Sequence, residues 1–151
     1  ITIAVLFLVF FVTGLANGLA FGDSPSIKNI QADYIVINKE ADGAIIKSDL
    51  NAKDVEFIGK QLGGNAAPLA ITMSALERNQ EKDVDVVYFS VDSDKYRELN
   101  VIEGKDINEL SVNEVIADKS LELFGLQLHA QVLDKTSGKK LVIDGLMKAQ
   151  T

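Results

Sequence analysis

The chain contains no cysteine and a single histidine, and its first 22 residues carry no charge. Without cysteine there are no disulfide staples, no thiol nucleophile and no zinc-thiolate site, so a folded part is held by its core alone. One histidine cannot begin a standard zinc set, which takes three or four His, Cys or carboxylate ligands. That residue, His129 in "LQLHAQVL", reads as a mid-strand position, and no GxSxG elbow accompanies it, so no hydrolase triad is in view. A phosphate-cradling GxxxxGK[ST] loop is also missing, because neither Gly59-Lys60 nor Gly104-Lys105 is followed by Ser or Thr. The chain is therefore not expected to hydrolyse ATP itself, and neither an enzyme activity nor a resident metal or cofactor is expected. Glu81, Asp83 and Asp85 in "EKDVDVV" offer carboxylates, but Asp83 and Asp85 alternate onto one strand face, which reads as a solvated surface.

Basic residues are in the minority, 15 against 22 acidic, for a net charge of −7. No Lys/Arg cluster exists beyond Lys139 and Lys140. Neutralising phosphates needs a basic face, so nucleic acid is not an expected partner, and the polar part has no patch for anionic lipid headgroups.

What is present is a long apolar opening. "ITIAVLFLVFFVTGLANGLAFG" would form a helix about 33 Å long, matching a hydrocarbon core of about 30 Å. A membrane-spanning helix over residues 1–22 is the leading reading. The alternative is a secretory signal peptide, whose apolar core is shorter and follows a basic stretch that this chain does not show. Gly14 and Gly18, four apart, give one face on which another helix packs closely, and Asn17 adds a polar group that in lipid seeks a partner. The chain starts inside the apolar run at Ile1, which reads as a piece of something longer. From Asp23 onward acids, lysines and turn formers arrive, so residues 23–151 form the polar domain, placed outside the cytoplasm because no positive bias holds them inside.

Within that domain, "DYIVIN" (33–38) reads as a strand, "KEADG" as a turn through Asp42-Gly43, and "AIIKS" as a return strand. Asn51 caps a helix over "AKDVEFIGKQL" that Gly63-Gly64 stops. "APLAITMSALER" and "DVDVVYFSVD" alternate with period two and form a hairpin across "NQEK". "SDKYRELN" is a short helix or turn, "NEVIADKSLELFGL" a strand running into a helix, and "LHAQVLD" with "KKLVIDGLM" a last hairpin around "KTSG". Strands and helices mix without strict alternation, so an α+β or mixed-sheet α/β fold is expected. Haem ligation would draw on Tyr34, Tyr88, Tyr96, Met73, Met147 and His129, most of which should be core.

This layout resembles the permeases of FtsX/MacB-type ABC transporters. "NEVIADKSLELFGL" is similar to that family's strand and helix ahead of its small hairpins, and "GLQL...SGKKLVIDGLM" to its "GxxL...G...xVxG" run. "GLANGLA" followed by "DYIVINKEADGAIIKSDL" looks closest to the haem-exporting permease subgroup of Gram-positive bacteria. One departure is that the family often has Gly-Asp where this sequence has His129-Ala130. The resemblance implies one transmembrane helix followed by a mixed α/β extracellular domain of the MacB periplasmic-core type, in the cell membrane of a Gram-positive bacterium. It implies a second permease copy, a cytoplasmic ABC ATPase subunit and membrane lipid as partners, with ATP-driven motion passed to the outer domain. Haem would then be a transported substrate rather than a cofactor, taken up near the membrane exit, where Asn17, Phe21 and Asp23 are the candidate substrate contacts. Two other readings stay open: the same permease type with peptide, antibiotic or lipid cargo, and a membrane-anchored extracellular binding domain without transport.

Overall fold

The computed structural model describes residues 3–6, 8–9, 32–79, 82–95 and 99–148. The chain divides into two units, Ile1–Asp33 with Ala149–Thr151, and Tyr34–Lys148. In the first, residues 3–6 and 8–9 are helical, and Ile3, Val5, Leu6, Leu8 and Val9 are exposed. No helix among the described residues is long and apolar enough to cross a membrane. The expected span falls largely outside the described residues, as do Gly14, Asn17, Gly18, Phe21 and Asp23.

The second unit is α+β, with few helices and one mixed six-stranded sheet. Its only α-helix among the described residues, α1 (Ala52–Gln61), begins where the sequence places it. The Asn51 side chain accepts from the Lys53 and Asp54 amides at 2.9 and 3.1 Å, and Asp54 accepts from the Asn51 amide at 3.2 Å. This reciprocal box satisfies amides that the first turn leaves without intrahelical partners. Beyond Leu62, Gly63 and Gly64 take positive φ and end it. No residue of α1 is buried, so the helix lies on the surface.

Strands β1 (Leu69–Glu77) and β2 (Val84–Val91) form the expected antiparallel hairpin, with Leu69 opposite Val91 and Leu76 opposite Val84. Strand β3 is Val101–Gly104 and β4 is Glu114–Asp118. β5 (Gln131–Asp134) and β6 (Lys139–Met147) make the second expected hairpin. The sheet order is β2-β1-β5-β6-β3, with β4 paired in parallel to β6. β6 is thus the central strand, and four consecutive residues, Ile143 to Leu146, are buried. The core gathers Leu76, Ala117, Leu126, Ala130, Val132, Ile143 and Leu146, so it sits around β6 and the β1–β5 junction. β1 pairs with β5 in the ladder only at Leu76 and Glu77, so most of the β1–β2 ribbon extends past the rest of the sheet.

Three expectations change. "DYIVIN" and "AIIKS" are not strands: residues 34–38 are irregular, and Lys39–Ala41 and Ile45–Lys47 are 3-10 turns. The turn between them is as expected, with Asp42 and Gly43 at φ 47° and 80°. However, the Asn38 amide donates to the Ser48 hydroxyl at 3.1 Å and not to a neighbouring strand. The helix after β4 is a 3-10 helix, Lys119–Phe124, capped by Asp118 and closed by Gly125 in the left-handed region. His129 is not mid-strand but lies in the turn before β5, at φ 65°.

Candidate functional site

One polar cluster among the described residues is built by a register slip in β6. Val115 pairs with Ile143 but Ile116 with Gly145, so Asp144 is an extra residue in the β4–β6 ladder. A bulge of this kind re-aims the side chain at its position. The Asp144 carboxylate meets the Lys105 ammonium at 2.6 Å and the His129 Nδ1 at 3.0 Å. Lys105 also reaches Glu114 at 2.8 Å. The backbone binds the same three segments together: the Lys105 amide donates to the Asp144 carbonyl at 2.7 Å and the His129 amide to the Ile143 carbonyl at 2.6 Å.

Glycine makes these approaches possible. A Cβ on Gly145 would lie 2.5 Å from the Lys105 carbonyl and 2.9 Å from Ile116, and one on Gly104, at φ 80°, would run into the Asp144 carbonyl. Lys105 and then His129 hold the Asp144 carboxyl below the usual carboxylate range, and Asp144 and Glu114 hold the Lys105 ammonium above the usual lysine range. The carboxylate is nearly covered, whereas the imidazole is 74% exposed. A general base works best with its pKa near the operating pH. Asp144, pushed the other way and already paired twice, is suited to fastening β6 to its neighbours rather than to proton transfer.

A second knot closes the β5–β6 turn. Asp134, buried, accepts from Ser74 and from both the amide and the hydroxyl of Ser137, while Ser74 also lies 2.7 Å from the Thr136 hydroxyl. These hydroxyls, Ser137 first, favour the ionised form and lower the Asp134 pKa. Next to it Lys135 pairs with Glu77 and Asp83, both at 3.1 Å, so Asp83 faces solvent as part of an ion pair. A shallow groove of about 390 Å³ runs beside this knot, lined by Met73, Ser74, Ala75, Asp85, Val86, Val87 and Thr136.

The haem-ligand inventory is mostly outside the core. Tyr34 and Met73 are 89% and 65% exposed, His129 is exposed, and Tyr88 and Met147 are half-buried; Tyr96 lies outside the described residues. Burial, then the Asp134 charge, pushes the Tyr88 phenol up to about 12. A phenolate ligand is therefore disfavoured there. Among the described residues, no three potential metal-ligating His, Cys, Asp or Glu side chains are grouped to hold an ion. The Lys105–Asp144–His129 cluster was not foreseen from the sequence, where Lys105 and Asp144 are 39 positions apart; the only local signal is Gly104 beside Lys105 and Gly145 beside Asp144.

Comparison with known protein families, with curated proteins and with solved structures finds no match.

Proposed function

We propose that this chain is a permease component of an ABC exporter of the FtsX/MacB type, in which residues 1–22 cross the membrane and the polar domain works outside the cytoplasm. The observation that carries the reading is the 22-residue uncharged run leading into an α+β unit with a mixed sheet. Two further features support it. The β5–β6 hairpin coincides with the "SGKKLVIDGLM" run of the resemblance, and His129 takes a left-handed backbone where that family often has glycine.

In this reading ATP is hydrolysed by a separate cytoplasmic subunit, and a second permease copy completes the membrane part. Gly14 and Gly18 give the membrane helix a close-packing face. The outer domain moves as a tied unit, because β6 is fastened to β3 and β4 by their ladders and to the 105 and 129 segments through Asp144. The proposed cargo is haem, an amphipathic ring taken from the outer leaflet at Asn17, Phe21 and Asp23 and released outward.

The test of cargo is a haem titration of the permease with its ATPase in nanodiscs, following the Soret band and haem-stimulated ATP hydrolysis. Saturable binding with stimulation is expected, and a Phe21→Ala, Asp23→Asn variant should weaken both. If neither signal appears, haem is not the cargo and the proposal retreats to a peptide, antibiotic or lipid substrate.

A further inference from the structure

The β1–β2 ribbon has an unusual outer edge. β2 sits at the end of the sheet order, and among the described residues no strand pairs its outer side over Val84–Val91. An unpaired edge presents a row of amides and carbonyls ready to accept another strand. Soluble proteins blunt such edges with proline, lysine or a bulge. β2 has no proline, no lysine, no register shift against β1, and one charge, Asp85. The face it shares with β1 is apolar and partly open, with Met73 opposite Val87 at 65% and 41% exposure.

We infer that β2 pairs antiparallel with β2 of a second copy of this chain, on a two-fold axis through Val87. Antiparallel partners share side-chain facing, so residues meet only others of the same parity, and the axis at Val87 fixes every other position. Val86 then lies opposite Tyr88 and Asp85 opposite Phe89. At both ends Lys82, just before the strand, comes opposite Asp92, just after it. The register therefore places a cation against a carboxylate twice and sets no like charges opposite each other, which is what selects a second copy over an unrelated strand. The two ribbons form a continuous four-stranded sheet with a shared apolar face around Met73 and Val87. This pairing uses no residue of the apolar opening and stands apart from the exporter reading.

The absence of cysteine makes a direct test available in the full chain. Directly opposed residues of antiparallel strands have Cα atoms about 4.5 to 5.5 Å apart, within disulfide reach. A Val87→Cys variant is expected to cross-link to a dimer under mild oxidation with copper-phenanthroline. Met73→Cys, more exposed but one strand further from the axis on each side, would sit roughly 14 Å from its copy and should cross-link at least about tenfold more slowly. Lys82→Asp should slow the Val87→Cys reaction, and adding Asp92→Lys should restore it. Circular dichroism on each variant confirms that it is folded. Cross-linking of Val87→Cys no faster than of Met73→Cys, or no recovery in the charge-swapped pair, overturns the inference. A Val87→Cys variant that is dimeric in solution yet does not cross-link under oxidation overturns it too, assigning the contact to another surface such as Gly14 and Gly18.

Discussion

Asp144 owes its position to one extra residue in a ladder. The slip between Ile143 and Gly145 turns its carboxylate to Lys105 and His129, and two glycines let the backbones come close enough for this to happen. Gly104→Ala combines a positive φ with a collision against the Asp144 carbonyl, and should destabilise the fold by about 2 to 4 kcal/mol, read as a lowered denaturant midpoint. Leu146→Ala, at a fully buried position on the same strand, should cost about 2 to 5 kcal/mol by the same measurement. The pH dependence follows from the groups that partners and burial shift. Asp134 and Asp144 have lowered folded pKa values, so their contribution is present above the ordinary carboxylate value of about 4 and is lost as pH falls through the lower folded values. Tyr88 is raised to about 12, so the fold loses stability as pH rises from about 10 toward that value, because the unfolded chain ionises first. A melting-temperature profile should therefore be flat near neutrality and fall at both extremes. Replacing Asp144 with Asn should flatten part of the acid limb, and an unchanged limb would show that the bulge carboxylate is not the group responsible.

Elements governed by local chemistry were legible in the sequence, and those governed by a distant partner were not. The cap at Asn51, the stop at Gly63-Gly64, the Asp42-Gly43 turn and both hairpins follow from residues within a few positions of one another. "DYIVIN" has strand composition but no ladder to join, and composition cannot report the missing neighbour. β3 is only four residues long, and the parallel β4–β6 pairing joins residues about 28 positions apart, so neither leaves a local pattern. The site was less legible than the fold. Lys105 reaches Asp144 through the β3–β6 pairing, Glu114 through β4–β6 and His129 from the segment before β5, while the residues singled out for cargo lie outside those described. α1 offers a clean test of local control, since none of its residues is buried. Asn51→Ala should cost the helix about 1 kcal/mol. The loss should show as faster amide exchange over residues 52–61, with little change in global melting temperature; a large global shift would mean that α1 carries core contacts.

At the scale of the molecule the chain joins two regimes, an uncharged opening and an acidic α+β unit. A permease uses both: the opening to cross lipid, the unit to work on the far side. An anchored binding domain would use the same two parts without an ATPase, and haem-stimulated hydrolysis separates those outcomes. Both depend first on where the polar unit resides. The most direct measurement places a single cysteine at Ser111, on the polar surface, in the otherwise cysteine-free chain expressed in intact bacterial cells. It is probed with a membrane-impermeant maleimide, and the membranes are then washed with alkaline carbonate. The account predicts labelling in intact cells and retention of the protein in the washed membranes. Labelling only after lysis, or release into the carbonate wash, would contradict it.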